Sequence, residues 1–136
     1  MADKTRRVEY YYVTVPDRPG EGKRVLSALK QSNVNLHAYL GFPSGNGQTQ
    51  IDLVPENAEA LKQTAAKAGL KLSDSKRAFL IQGDDRAGAV ADALTKLADG
   101  NINVTAAAAT TAGGNYGLLV WVSPADYEKA AGALGA

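Results

Sequence analysis

The chain contains no cysteine. That excludes disulfides, thiolate nucleophiles, zinc–thiolate sites and iron–sulfur clusters. It has one histidine, His37, so neither a multi-histidine metal site nor a relay using two histidines can be built. Charge of one sign is also lacking. Fifteen Lys and Arg against 14 Asp and Glu leave a formal charge of +1, so no strong field draws in nucleic acid or an anionic membrane. No apolar run approaches the roughly 20 residues of a membrane span. The start, Met-Ala-Asp-Lys-Thr-Arg-Arg, has no signal-peptide pattern. A cytoplasmic protein without nucleic-acid or membrane partners is therefore expected. Aromatics are sparse at 7%, while hydrophobic residues reach 45% and glycine numbers 14. This is the composition of a globular chain with small side chains. At 136 residues it can bury enough surface to fold without staples.

What the sequence does have is an internal echo. Asp17-Arg18-Pro19-Gly20 returns 68 positions later as Asp85-Arg86-Ala87-Gly88. The same offset, without a gap, pairs Leu26 with Leu94, Leu29 with Leu97, Asn33 with Asn101 and Asn35 with Asn103. It also pairs Tyr11 with Phe79, Val13 with Ile81 and Val54 with Val122. A register held from strand to strand is the mark of duplication. Two homologous units are expected, residues 8–75 and 76–136, after a flexible N-terminus at 1–7.

Each unit reads as β-α-β-β-α-β, the split βαβ or ferredoxin-like motif of the α+β class. Residues 8–15 are β-branched and aromatic, a strand. Val25, Leu26 and Leu29 give residues 21–32 an amphipathic helix. Residues 34–42 and 48–54 are strands around the turn Ser44-Gly45-Asn46-Gly47. Pro55 opens a second helix that Gly69 closes, and Leu70–Ser73 is a fourth strand. In the second unit, 77–82, 102–110 and 116–122 are strands and 87–99 is a helix. Ala106 to Ala109 alone would read as helix, and the repeat overrides that propensity. A last helix starts at Ser123-Pro124. Trp121 aligns with Leu53 and is expected in the core. The chain then stops short of the position where a fourth strand of the second unit would stand. The edge of strand 77–82 therefore needs cover, from the first unit or from another copy. If Tyr11, Val13, Phe79 and Ile81 face the helices, then Tyr10, Tyr12, Leu80, Leu118 and Val120 face the other way.

Chemistry concentrates in the first βα loop of each unit and at the start of the next strand. Gly20 and Gly88 let a ligand approach the backbone, and the following helix starts offer free N–H groups to a carboxylate or phosphate. Asp17 and Asp85 either accept from an ammonium group or cap the helices. Arg18 and Arg86 either meet a ligand or pair with acids. Asn33 and Asn101 are suited to ending helices, whereas Asn35 and Asn103 offer both donor and acceptor. His37 has no partner in sequence and reads as an ordinary packed or surface residue. Tyr10 to Tyr12 lack the basic consensus of an RNA-stacking platform.

The layout Asp-Arg-Pro-Gly, helix, Asn-Val-Asn-Leu, echoed as Asp-Arg-Ala-Gly, helix, Asn-Ile-Asn-Val, closely resembles the ACT domain. The resemblance covers nearly all of residues 8–134 and is to a free-standing tandem pair of ACT repeats packed through their sheets. It implies a non-catalytic, allosteric regulatory protein and a homodimer. An amino acid or similar small metabolite would bind at the interface between ACT units, and the regulated enzyme or partner would be a separate chain. Carried over, it implicates Asp17, Arg18, Pro19, Gly20, Asn33, Val34, Asn35 and Leu36. In the second unit it implicates Asp85, Arg86, Gly88, Asn101, Ile102, Asn103 and Val104. It implies no cofactor, no metal and no catalytic residue. Ala87 in place of proline, and the missing last strand, set the second unit apart. Two alternatives share the fold: an interaction module that binds no ligand, and an acylphosphatase-like hydrolase using Arg18 and Asn35.

Overall fold

The computed structural model describes residues 3–136. It divides into two compact units, Glu9–Lys76 and Met1–Val8 with Arg77–Ala136, called here the first and second repeats. Six strands and four α-helices alternate in the order β1 (Lys4–Pro16), α1 (Glu21–Gln31), β2 (Leu36–Gly45), β3 (Gln48–Pro55) and α2 (Ala58–Ala68). Then follow β4 (Lys76–Asp84), α3 (Ala89–Asp99), β5 (Val104–Ala112), β6 (Asn115–Val122), a 3-10 turn at Pro124–Asp126 and α4 (Tyr127–Leu134). No helix among the described residues is long and apolar enough to cross a membrane.

In the first repeat the strand order is β2-β3-β1, all antiparallel. Tyr11 pairs with Leu53 and Val13 with Ile51, and these four side chains pack with Val25, Leu29 and Leu61 of the helices. Both helices are amphipathic, and this apolar face is what holds them to the sheet. Asn33 ends α1 with φ 56, and the Val34 amide donates to the Leu29 carbonyl at 2.9 Å. That left-handed closure suits asparagine.

The second repeat uses the same plan with β4, β6 and β5 antiparallel in that order. Phe79, Ile81, Leu118 and Val120 pack with Ala93 and Leu97 of α3 and with Tyr127, Ala130 and Leu134 of α4. Tyr127 stacks on Phe79 with ring centroids 4.4 Å apart, and its hydroxyl donates to the Ala78 carbonyl at 3.0 Å. Ala106 to Ala109 lie in β5, paired with β6, so strand pairing does override local helix preference.

Several sequence expectations need correction. Lys4–Arg7 are strand, not a flexible N-terminus, and residues 1–2 lie outside the described set. The first residues of β1 lie beside β4 and supply the cover that the second repeat lacks, from its own chain. Arg7 clamps this segment by two bonds to Glu128 at 2.8 and 2.9 Å, and Arg6 donates to Gln82 at 3.2 Å. Leu70–Ser73 form no strand. The Ser73 amide donates to the Tyr12 carbonyl and the Tyr12 amide to Ser73 Oγ, so one side chain replaces a ladder bond. Pro55 ends β3 rather than opening α2, which is capped by the Asn57 side chain accepting from the Ala60 amide at 3.0 Å. Leu118 and Val120 lie on the helix-covered face, because they pair directly with Ile81 and Phe79 and opposed residues share a face. Trp121 is buried, but on the opposite face with Leu80 and Leu119, and Val120 rather than Trp121 takes the place of Leu53, because β6 is shifted by one residue from the offset of 68.

Candidate functional site

The turn after β1 is tied to the tip of the β2–β3 hairpin, where the Asp17 amide donates to the Gly47 carbonyl at 2.8 Å. Gly20 then sits at the N-cap of α1 with φ 91, a left-handed backbone that a Cβ would strain. Its carbonyl accepts the first helical bond from Arg24 at 2.9 Å. The amides of Gly22 and Lys23 fall in the first turn, where helical N–H groups have no intrahelical acceptor.

Beside this turn lies an open cleft of about 310 Å³, lined by Asp17, Arg18, Gly22, Tyr39, Phe42 and Thr49 among others. The Tyr39 hydroxyl lies so near Gly22 that a Cβ there would come within 3.0 Å of it. Tyr39 and Phe42 are both exposed large hydrophobic residues. Asp17 caps nothing; its carboxylate accepts from Thr49 Oγ1 at 2.9 Å. Arg18 pairs with Glu21 at 3.1 Å, and Arg24 binds the other oxygen of the same carboxylate. Arg24 and, second to it, Arg18 hold Glu21 below the usual carboxylate range.

Asn33, Val34, Asn35 and Leu36 lie at the other end of α1, which at about 1.5 Å per residue is roughly 16 Å away. They line a separate cavity of about 580 Å³ with Leu26, Lys30 and Glu56. Asn35 donates to Glu56 at 2.9 Å, and Val34 and Leu36 pack against the core. Within the repeat, Asp17 to Gly20 and Asn33 to Leu36 are thus two places, not one. The Arg18–Asn35 pair that a hydrolase would need is not assembled there.

The second repeat has the matching turn. The Asp85 amide donates to the Gly114 carbonyl at 3.0 Å, and Gly88 opens α3 with φ 83. A cleft of about 500 Å³ lies against Asp85, Arg86, Gly88, Val90, Thr110 and Tyr116. Asn101 closes α3 with φ 58, Ile102 is buried in the core, Val104 packs against it and Asn103 is exposed. These four again lie at the far end of the helix from the loop. Pro19 and His37 are exposed.

Arg86 differs from Arg18 in its partner. It grips the Asp3 carboxylate with two bonds of 3.1 Å each and also reaches Asp92 at 3.0 Å. Arg86 holds Asp3 below the ordinary carboxylate range, and Asp3 and then Asp92 push the guanidinium up in return. Burial first, and the neighbouring Asp3 carboxylate after it, raises the Tyr116 phenol. Asp3, Tyr39, Phe42, Thr49 and Tyr116 were not singled out as site residues from sequence. The offset of 68 could have flagged Gly83, which stands where the first repeat has Val15.

No family model matches the chain, and no curated protein sequence matches it. Solved structures do. Protein BT0572 from Bacteroides thetaiotaomicron superposes with a TM-score of 0.83 at 12% identity, over 96% of this chain and 88% of that one. The ligand-free regulatory subunit of aspartate kinase from Thermus thermophilus gives 0.63 at 17% identity, over 98% and 94%. The corresponding subunit from Thermus flavus gives 0.61 at 19%, over 98% and 94%. The chain has the α+β fold of these regulatory subunits. The tandem ACT resemblance read from the sequence holds at the level of that fold.

Proposed function

We propose that this protein is a non-catalytic regulator that binds an amino acid or similar small metabolite at its βα loops. The observation that carries the reading is the duplicated loop. In each repeat a glycine with left-handed backbone opens an eleven-residue helix beside an open cleft. First-turn amides of α1 suit a carboxylate, since the helix dipole favours negative charge there. Asp17, held by Thr49, suits an ammonium group on the other side. Tyr39 and Phe42 supply apolar wall for a side chain. Similar solved structures are described as regulatory subunits of aspartate kinase, which supports a regulatory role for the fold. The protein acts in the cytoplasm as a homodimer, and the enzyme it regulates is a separate chain. Ligand shifts its conformational equilibrium by the difference in affinity between two states.

The test is thermal unfolding with each of the twenty amino acids. A ligand at 100 times its Kd should add about 2.7 kcal/mol of stability. Silence across all twenty defeats the amino-acid reading. Light scattering at micromolar concentration checks the dimer, and a uniform monomer would exclude it.

A further inference from the structure

The second loop cleft already has a carboxylate at its edge, and it comes from the chain itself. Asp3 presents both oxygens to Arg86, one to each terminal nitrogen at 3.1 Å, the planar fork geometry that guanidinium and carboxylate share. The two residues stand 83 positions apart in sequence. Beneath the carboxylate is Gly83, where an added Cβ would collide with Asp3 Oδ1 and come within 3.0 Å of the Tyr116 ring. The Arg86 guanidinium lies 5.8 Å from the centre of that ring. Glycine floor, arginine fork and aromatic wall make a seat of carboxylate size. The matching positions in the first repeat are Val15, Arg18 and Thr49, which opposes Val15 as Tyr116 opposes Gly83, with a buried valine in place of the glycine floor and Arg18 turned to Glu21. The seat belongs to the second repeat alone. It opens onto the cleft that Arg86 and Tyr116 line with Gly88 and Thr110.

We propose that Gly83, Arg86 and Tyr116 form a carboxylate-binding seat in which Asp3 is a tethered surrogate ligand, and that a free carboxylate metabolite binds there by displacing Asp3. This rests on the reading of the loops as metabolite sites. Asp3 directly precedes the β1 residues that cover β4, so its effective concentration at Arg86 is high, of the millimolar order typical of short tethers or above. Asp3 therefore sets the threshold at which the second loop responds, and the first loop has no such guard. Displacement also frees the end of the covering strand, which gives binding a structural readout.

Sodium acetate is the probe, titrated against sodium chloride at matched ionic strength while the Gly83 and Gly88 amide resonances are followed. Asp3→Asn should bind acetate saturably, at least tenfold tighter than the unaltered chain. Adding Arg86→Gln should abolish that binding. Equal titration of the unaltered chain and Asp3→Asn overturns the proposal, as does no saturable shift in Asp3→Asn. Should the variant lose amide dispersion, the Asp3 carboxyl carbon in the unaltered chain decides. Saturating acetate should return its titration to the ordinary aspartate range, and an unmoved Asp3 overturns displacement. If the twenty amino acids fail but acetate still competes with Asp3, the seat stands and the sensing role falls. If an amino acid binds but Asp3→Asn changes nothing, sensing stands and the seat falls.

Discussion

The two Asp-Arg-x-Gly loops share a sequence and a backbone, yet their arginines do opposite things. Arg18 folds back onto Glu21, three residues along, and shares that one carboxylate with Arg24. Arg86 reaches across to Asp3 and Asp92. The walls differ too: Tyr39 and Phe42 in the first repeat, Thr110 and Tyr116 in the second. A duplicated motif preserves the turn, because Gly20 and Gly88 are fixed by backbone geometry. It does not preserve the electrostatics, because these depend on which carboxylate the rest of the fold brings near.

The comparison can be broken most severely by removing residues 3–8. The second repeat then loses the strand beside β4, each ladder hydrogen bond being worth about 0.5–1.5 kcal/mol. Hydrogen exchange should show protection collapsing at Phe79 to Ile81 and persisting at Ile51 to Leu53. Equal loss in both would mean that the repeats do not differ in their need for that strand. Next come the paired core leucines. Leu29→Ala and Leu97→Ala each empty a fully packed site and should each cost about 2–5 kcal/mol in chemical unfolding. Gly20→Ala and Gly88→Ala meet no atom within 4 Å, so backbone strain alone should cost about 1–2 kcal/mol in each. A much larger loss in one would show that its turn is held by more than conformation.

Smaller effects sharpen the contrast. Tyr127→Phe removes a buried hydrogen bond found in the second repeat and should cost about 1 kcal/mol. Asp52 is a buried carboxylate of the first repeat, whose pKa burial raises despite a 2.9 Å bond from Gln50. Its folded pKa stands above the unfolded one. Its contribution to stability is full below about pH 3.8, the unfolded value, and is lost as pH rises through the folded pKa. Asp52→Asn should flatten that fall, which unfolding midpoints measured from pH 3 upward will show. An unchanged slope would assign the pH response to other groups.

Much of this was legible in the primary structure, and the misses share a cause. The offset of 68 placed β5 correctly against the helix preference of Ala106 to Ala109, since pairing with β6 outweighs a few tenths of a kcal/mol per residue. Asn33 and Asn101 were readable as helix ends because left-handed closure is a local property. The covering strand was not readable. Lys4, Arg6 and Arg7 are charged and lie outside the repeat register, and an edge strand with an exposed side tolerates charge. The loop and the Asn-x-Asn segment were expected to converge, but an eleven-residue helix keeps them apart within each repeat. Asp3 carries no signal in sequence, because no spacing rule links residues 83 positions apart.

The strand that spans both repeats orders events in time. Residues 4–8 leave the ribosome before every partner they will have, and Arg7 must wait for Glu128, 121 residues later. The first repeat can close as soon as residue 76 emerges, whereas the second completes its sheet by recapturing a segment made before the first repeat. Contacts of such sequence separation form slowly. During synthesis the bare flank of β4 is therefore the place where a nascent chain is most open to a wrong strand, and the speed of that recapture sets the yield of folded protein.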